Sequence, residues 1–122
     1  MRLLVTGGTG FLGGRLIARL AEGGHQVFAL TRSASSHEKL MAMGATPVSG
    51  DLEGGRPLSL PAVDAVVHAA ARFRFAGPRA PYFRTNVDGT VVLLAAAEAA
   101  GARTFIYISA AGIVMDDRGS PM

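Results

Sequence analysis

The sequence predicts a doubly wound α/β domain, with about five parallel strands in the order 3-2-1-4-5 and helices on both faces. Two observations predict it. Short segments that are apolar at nearly every position alternate with segments whose apolar residues recur at helical spacing; strands with no polar face belong to parallel sheets covered on both sides. The first apolar segment also runs through a glycine-rich turn directly into the first helical one. Right-handed crossovers then wind the chain to both sides of the first strand.

The elements follow in order. Residues 2–6 (RLLVT) read as a short buried strand and 7–10 as a turn. Residues 11–22 read as a helix in which Leu12, Leu16 and Leu20 repeat at four, with Ile17 beside them, and Gly23-Gly24 ends it. Residues 25–31 (HQVFALT) form a second strand, 36–43 a short helix stopped by Gly44, and 45–49 a third strand followed by the turn Gly50-Asp51. Residues 53–61 hold two glycines and two prolines and read as irregular. Residues 62–68 (AVDAVVH) are a fourth strand, and 69–80 a loop rich in arginine and phenylalanine. Residues 81–100 read as one long helix with Val87, Val91, Leu94, Ala95 and Ala99 on one side; Gly101 follows as its stop, and 103–109 (RTFIYIS) are a fifth strand. The tail 116–122 is polar and turn-like.

Composition narrows the function classes. The 122 residues are 49% hydrophobic and 17% charged, which suits one globular domain and not a disordered chain. Cysteine is absent, which excludes a disulfide scaffold, a thiolate metal site and a cysteine nucleophile. The three histidines, His25, His37 and His68, lie in separate segments and give no zinc spacing. The start MRLLVTGGTGFLGG lacks the separate apolar region of a leader, and no apolar run approaches ~18 residues; the expectation is a cytoplasmic chain with no membrane partner. The net charge is +3, and Lys39 is the lone lysine among twelve basic residues. The arginines are scattered, with no basic helix or aromatic-basic platform, so phosphorylated small molecules are favoured over nucleic acid.

The segment Val5-Thr6-Gly7-Gly8-Thr9-Gly10-Phe11-Leu12-Gly13 carries the chemistry. Gly7 permits a tight turn, Gly10 lets the backbone approach a pyrophosphate, and Gly13 lets the helix pack close to the strand. The helix beyond Gly10 offers amide hydrogens and a positive dipole end to phosphates. The bland alternative is a glycine-rich turn without a ligand, and the strand–turn–helix context weighs against it.

With two residues between its first two glycines, Thr-Gly-x-x-Gly-x-x-Gly resembles the short-chain dehydrogenase/reductase superfamily. Gly-Phe-Leu-Gly is similar to its extended branch, the NAD-dependent epimerase/dehydratase family. Four later segments are similar too: Asp51-Leu52, Val66-Val67-His68-Ala69-Ala70-Ala71, Asn86-Val87-Asp88-Gly89-Thr90 and Phe105-Ile106-Tyr107-Ile108-Ser109. The resemblance implies a Rossmann-type domain over residues 1–122. It implies cofactor contacts from Gly7, Thr9, Gly10, Phe11, Leu12 and Gly13, and from Asp51 and Leu52 beside the adenine. It further implies that Ala69, Ala70 and Ala71 flank the ribose and nicotinamide side, and that Asn86 has a structural and cofactor-side role. Ser109 is the candidate for the family's catalytic serine, although aligning the usual Ser-Ser-x-x-Val-Tyr-Gly pattern puts Ala110 there; a strand-end serine that satisfies local backbone groups is the other reading.

Thr31 and Arg32 decide the expected cofactor. An acidic residue at the end of the second strand would bind the ribose 2′-hydroxyl of NAD; this sequence has Thr31-Arg32. A guanidinium pairs with a 2′-phosphate through charge-assisted hydrogen bonds, so NADP is expected over NAD, with a solvated Arg32 as the alternative.

The family's reaction needs a tyrosine and a lysine four residues later, because a phenol is a poor base at neutral pH until a cation favours its phenolate. Asn86 stands four residues after Tyr82 and Ala111 four after Tyr107, so Tyr-x-x-x-Lys does not occur. The expectation is the cofactor portion of a longer oxidoreductase or nucleotide-sugar epimerase/dehydratase acting on a small molecule. The alternative is a non-catalytic dinucleotide sensor. Arg72, Arg74, Arg79 and Arg84 cluster after the fourth strand as candidate contacts to an anionic substrate or as solvated charges, and Phe73 and Phe75 beside them line a substrate wall or simply pack. Helix 81–100 offers a face for a homodimer. His68 reads as a hydrogen-bonded histidine at the core edge rather than a base.

Overall fold

The computed structural model describes residues 1–70, 81 and 84–108. Five parallel strands form one sheet in the order β3-β2-β1-β4-β5: β1 Arg2–Thr6, β2 Gln26–Thr31, β3 Ala45–Ser49, β4 Ala65–His68 and β5 Thr104–Tyr107. The helices are α1 Phe11–Glu22, α2 His37–Ala42 and α3 Gly89–Ala99, with a 3-10 turn at Ala34–Ser36 and a π-helical turn at Arg84–Asp88. The predicted fold and strand order hold.

The uniformly apolar strands have the predicted cause. Leu4 of β1 pairs in register with Phe28 of β2 and Val66 of β4, and Val66 with Phe105 of β5. Leu4, Phe28 and Val66 pack on one face with Leu93 and Ala97 of α3. Their neighbours Val5, Val27, Ala29 and Val67 face the other way, against Ile17 of α1 and Leu40 of α2. Successive residues of a strand alternate faces, and both faces here are covered by helices.

Four expectations need correction. In α1 the buried line is Gly13 and Ile17, with Leu16 and Leu20 at its margin, while Leu12 is half exposed. A Cβ on Gly13 would lie 2.0 Å from the Gly7 carbonyl oxygen, so this face must meet the turn; Ile17 follows one helical turn later, and Leu12 is rotated away. The long helix expected over 81–100 is not uniform. The turn Arg84–Asp88 is π-helical before α3 begins. Gly89 lies against Leu52, where a Cβ would be 3.0 Å from the Leu52 side chain, and Thr90 donates to the carbonyl of Asn86, four residues back; such back-bonding distorts the helical ladder. The stripe Val87, Val91 and Leu94 points outward, while Leu93, Ala96 and Ala97 face the sheet.

Strand β4 begins at Ala65 rather than Ala62, and the residues before it are tied to their surroundings by single hydrogen bonds. The Val63 amide donates to the Ala100 carbonyl and the Asp64 amide to the Arg2 carbonyl.

Candidate dinucleotide site

The site begins where β1 ends. Gly7 has φ +72°, a left-handed conformation that favours glycine, and a Cβ there would fall 2.8 Å from the backbone of Ala69 and Ala70. The Gly10 amide donates to the Gly7 carbonyl at 3.0 Å, and the Gly14 amide to the Gly10 carbonyl at 3.0 Å. This closes the turn and opens α1 within a few residues. Gly10 caps α1 with no side-chain hydrogen bond, and the first turn carries no acidic residue. The leading amides of a helix have no partner inside it, so α1 directs hydrogen donors and its positive end at the space beyond the turn.

That space is a cleft of about 640 Å³. It lies past the carboxyl ends of β1, β2, β3 and β4, at the point where the strand order reverses between β1 and β4. Ligands of open α/β sheets bind at such a switch point. Its floor is Thr6 and residues 7–10, one wall Thr31, Arg32, Ser33 and Ser36, and the other wall residues 50–53 with Ala69, Ala70 and Thr85.

Most sequence-predicted site residues converge here. Gly7, Thr9, Gly10, Thr31, Arg32, Asp51, Leu52, Ala69 and Ala70 all line the cleft. Phe11 and Leu12 stand exposed in the first turn of α1, and Gly13 is buried against the turn. Asn86 lies in the π-helical turn beside Thr85, and its carbonyl accepts from Thr90. Ala71, Ser109, Ala110, Tyr82, Phe73, Phe75, Arg72, Arg74 and Arg79 lie outside the described residues. Arg84 is exposed.

The end of the cleft beside β2 carries side chains that local sequence pattern does not single out. Ser33 and Ser36 join Thr31 and Arg32 on one wall. The Ser33 amide donates to Thr31 Oγ1 at 3.2 Å and Thr31 Oγ1 to the Ser33 carbonyl at 3.1 Å, tying down the segment after β2. Glu53 faces them: its Oε2 is 3.8 Å from Arg32 Nη1, and its Oε1 accepts from Thr85. The Glu53 amide donates to Asp51 Oδ1 at 2.9 Å, so Asp51 shapes the turn that presents Glu53. The spacing Asp51-x-Glu53 was the available signal for this turn. Nothing local pairs Glu53 with an arginine twenty-one positions earlier.

The floor is fixed by a buried polar chain. Thr6 and His68 are each 1% exposed. Thr6 Oγ1 lies 2.6 Å from His68 Nδ1 and accepts from the amides of Ala69 at 3.1 Å and Ala70 at 3.0 Å. His68 Nε2 lies 2.9 Å from Thr90 Oγ1. Burial pushes the His68 pKa below its ordinary value of 6.5.

The residues suit a dinucleotide on these observations alone: glycines whose added Cβ atoms would collide with backbone, a helix start directed at the cleft, and a wall of hydroxyls with one guanidinium. Comparison with known proteins decides the lineage, because the model of the NAD-dependent epimerase/dehydratase family matches residues 3–121. The chain belongs to that family. It is 38% identical over 120 residues to a 4-hydroxy-2-methyl-3-oxo-4-farnesyl-3,4-dihydroquinoline-1-oxide ketoreductase of Stigmatella aurantiaca, covering 97% of this chain and 36% of that protein. It is 31% identical to a UDP-glucose 4-epimerase of Klebsiella pneumoniae, covering 99% of this chain and 97% of the relative. A crystal structure of UDP-glucose-4-epimerase from Stenotrophomonas maltophila with bound NAD and formylated UDP-arabinopyranose superposes with TM-score 0.77 at 26% identity, over 100% of this chain and 43% of that one. The family member described here spans about a third of the length of the first curated relatives it matches. Among the described residues no helix is long and apolar enough to cross a membrane, and no group of three or more His, Cys, Asp or Glu is placed to hold a metal.

Proposed function

We propose that this chain is the cofactor-binding part of an NADP-dependent oxidoreductase or nucleotide-sugar epimerase/dehydratase. The observation that carries the proposal is the cleft itself: a glycine turn and helix start at one end, and Thr31-Arg32-Ser33 at the other with no carboxylate at the end of β2. The leading amides of α1 and the backbone around Gly10 hold the pyrophosphate. Asp51 and Leu52 border the adenine, Ala69, Ala70 and Ala71 the ribose and nicotinamide side, with Asn86 behind them. Arg32, with the hydroxyls of Ser33 and Ser36, receives the 2′-phosphate through charge-assisted hydrogen bonds. The bound nicotinamide supplies hydride transfer. This chain's own residues bind and orient it.

The reacting partner is a small molecule. A keto substrate fits the similarity to a ketoreductase and a sugar nucleotide the similarity to an epimerase. Ser109 is the candidate to orient the substrate oxygen, while no Tyr-x-x-x-Lys exists in these 122 residues to move the proton. The chain alone therefore binds the dinucleotide without turning over, which is also what a dinucleotide sensor would do. The outward stripe of Val87, Val91 and Leu94, each more than two-fifths exposed, is the face for a second copy of the chain; replacing Val91 by a charged residue should convert a dimer to a monomer in sedimentation.

Calorimetric titration with the two cofactors tests the cofactor assignment. The expected result is NADP binding about tenfold tighter than NAD, the worth of one good charge-assisted contact. Equal affinities, or tighter NAD, overturn it.

A further inference from the structure

Thr6, His68 and Thr90 form a chain of hydrogen bonds whose direction follows from counting donors. A threonine hydroxyl has one hydrogen to give and two lone pairs. Thr6 Oγ1 accepts from the amides of Ala69 and Ala70, which commits both lone pairs, so its hydrogen goes to His68 Nδ1. Nδ1 is therefore an acceptor, and a neutral imidazole with a bare Nδ1 carries its hydrogen on Nε2. Nε2–H donates to Thr90 Oγ1, and Thr90 donates to the Asn86 carbonyl. Every bond in the chain runs one way, from β1 through β4 to the π-helical turn before α3. A hydrogen on Nδ1 would face an oxygen with no lone pair left, and the Thr6 hydroxyl would lose its acceptor.

This chain sits under the cofactor cleft. The amides that Thr6 holds belong to the loop after β4, and that loop presses on Gly7, where even one carbon atom would approach within 2.8 Å. Thr6 is thus the latch between the glycine turn and the 69–70 loop, and His68 sets the orientation of Thr6.

We propose that His68 is a positioning residue of the dinucleotide site: its neutral Nε2–H form holds Thr6 as the latch, and protonation of His68 releases the latch and weakens dinucleotide binding. The inference rests on the dinucleotide reading of the cleft. Little else among the described residues titrates nearby. From β5, Tyr107 tilts against the imidazole at 5.4 Å and Phe105 meets it edge-on at 6.2 Å. From β1 the ionisable residue is Arg2, at the opposite end of the strand from Thr6. The α3 side contributes Glu98, two turns beyond Thr90, and the exposed Arg84 and Asp88 of the preceding turn. Burial keeps the imidazole neutral at neutral pH, so the latch is closed there and opens on acidification.

The test is titration of the intact chain with oxidised NADP at about pH 8 and about pH 5, beside His68→Asn. The asparagine Oδ1 replaces Nδ1 as acceptor for Thr6 but does not titrate, and the 2′-phosphate titrates equally in both arms. H68N should bind within a few-fold of the wild type at the higher pH, because Thr6 keeps its acceptor. The wild-type chain should lose about threefold or more affinity on acidification beyond the loss that H68N shows. Equal losses in the two proteins, with binding present, overturn the latch and leave the dinucleotide reading standing. No binding at either pH overturns both. Nitrogen-15 NMR of His68 in the wild-type chain decides independently of any variant's folding: a hydrogen on Nε2 at about pH 8 supports the chain, and a hydrogen on Nδ1 overturns it.

Discussion

The two ends of the cleft are made of different materials. At the turn after β1 the ligand-facing groups are backbone, and glycines hold them so closely that added carbons would lie 2.0 Å from the Gly7 oxygen at Gly13 and 2.8 Å from the 69–70 backbone at Gly7. At the end of β2 the groups are side chains, and Arg32 is 68% exposed with one loose ionic contact to Glu53. In the proposed function, backbone donors serve what every dinucleotide has, its pyrophosphate, and must be rigid. The side chains are proposed to serve the 2′ position, where cofactors differ, and can be exchanged without disturbing the fold. The first end should break on a single methyl group, and the second should shift only in preference.

The largest effect is expected at Gly13. Gly13→Ala forces α1 away from the turn and should cost about 3 kcal/mol of stability, the upper range of overpacking, with dinucleotide binding lost; chemical denaturation and calorimetry measure both. Gly7→Ala comes next. The left-handed conformation alone costs about 1–2 kcal/mol in an L-residue, and the contact with the 69–70 backbone adds to it. A Gly7→Ala chain as stable as wild type would contradict the rigid-end account. Arg32→Ala should leave the melting temperature within error, lower NADP affinity about tenfold and lower NAD affinity by less than about threefold, as loss of one charge-assisted contact predicts. The smallest effect belongs to Glu53→Gln. Removing a carboxylate that pairs with Arg32 and opposes a phosphate should raise NADP affinity by about threefold, in line with an exposed ion pair; a fall in NADP affinity would show that Glu53 serves the ligand instead.

Acid should also expose the difference between the ends. The His68 pKa is depressed in the folded chain, so stability is intact above the unfolded value near 6.5 and is lost as pH falls from there through the folded value. That loss arises beneath the glycine turn, and H68N should blunt it in thermal melts.

The same division explains what the sequence revealed. The turn and the start of α1 were legible because their chemistry is local: glycine spacing, a preceding apolar strand, a following helix. Strand order was legible because parallel strands apolar on both faces leave few topologies. The Thr6–His68 contact was not legible, since it joins residues 62 positions apart, although His68 was correctly read as a bonded histidine at the core edge. Glu53 was missed for the same reason. The π-helical turn Arg84–Asp88 was read as plain helix because apolar periodicity does not register one slack turn. The stripe Val87, Val91 and Leu94 was seen as one side of a helix, but periodicity does not say whether that side meets the sheet or the solvent; Gly89 against Leu52 settled it.

One measurement tests the site most directly: amide chemical-shift mapping of the nitrogen-15-labelled chain titrated with NADP. The largest shifts are expected at residues 7–13, with a second group at 31–33, 51–53 and 69–70. Shifts concentrated on the outer face of α3 or along β5, or no shifts at saturating NADP, would contradict it.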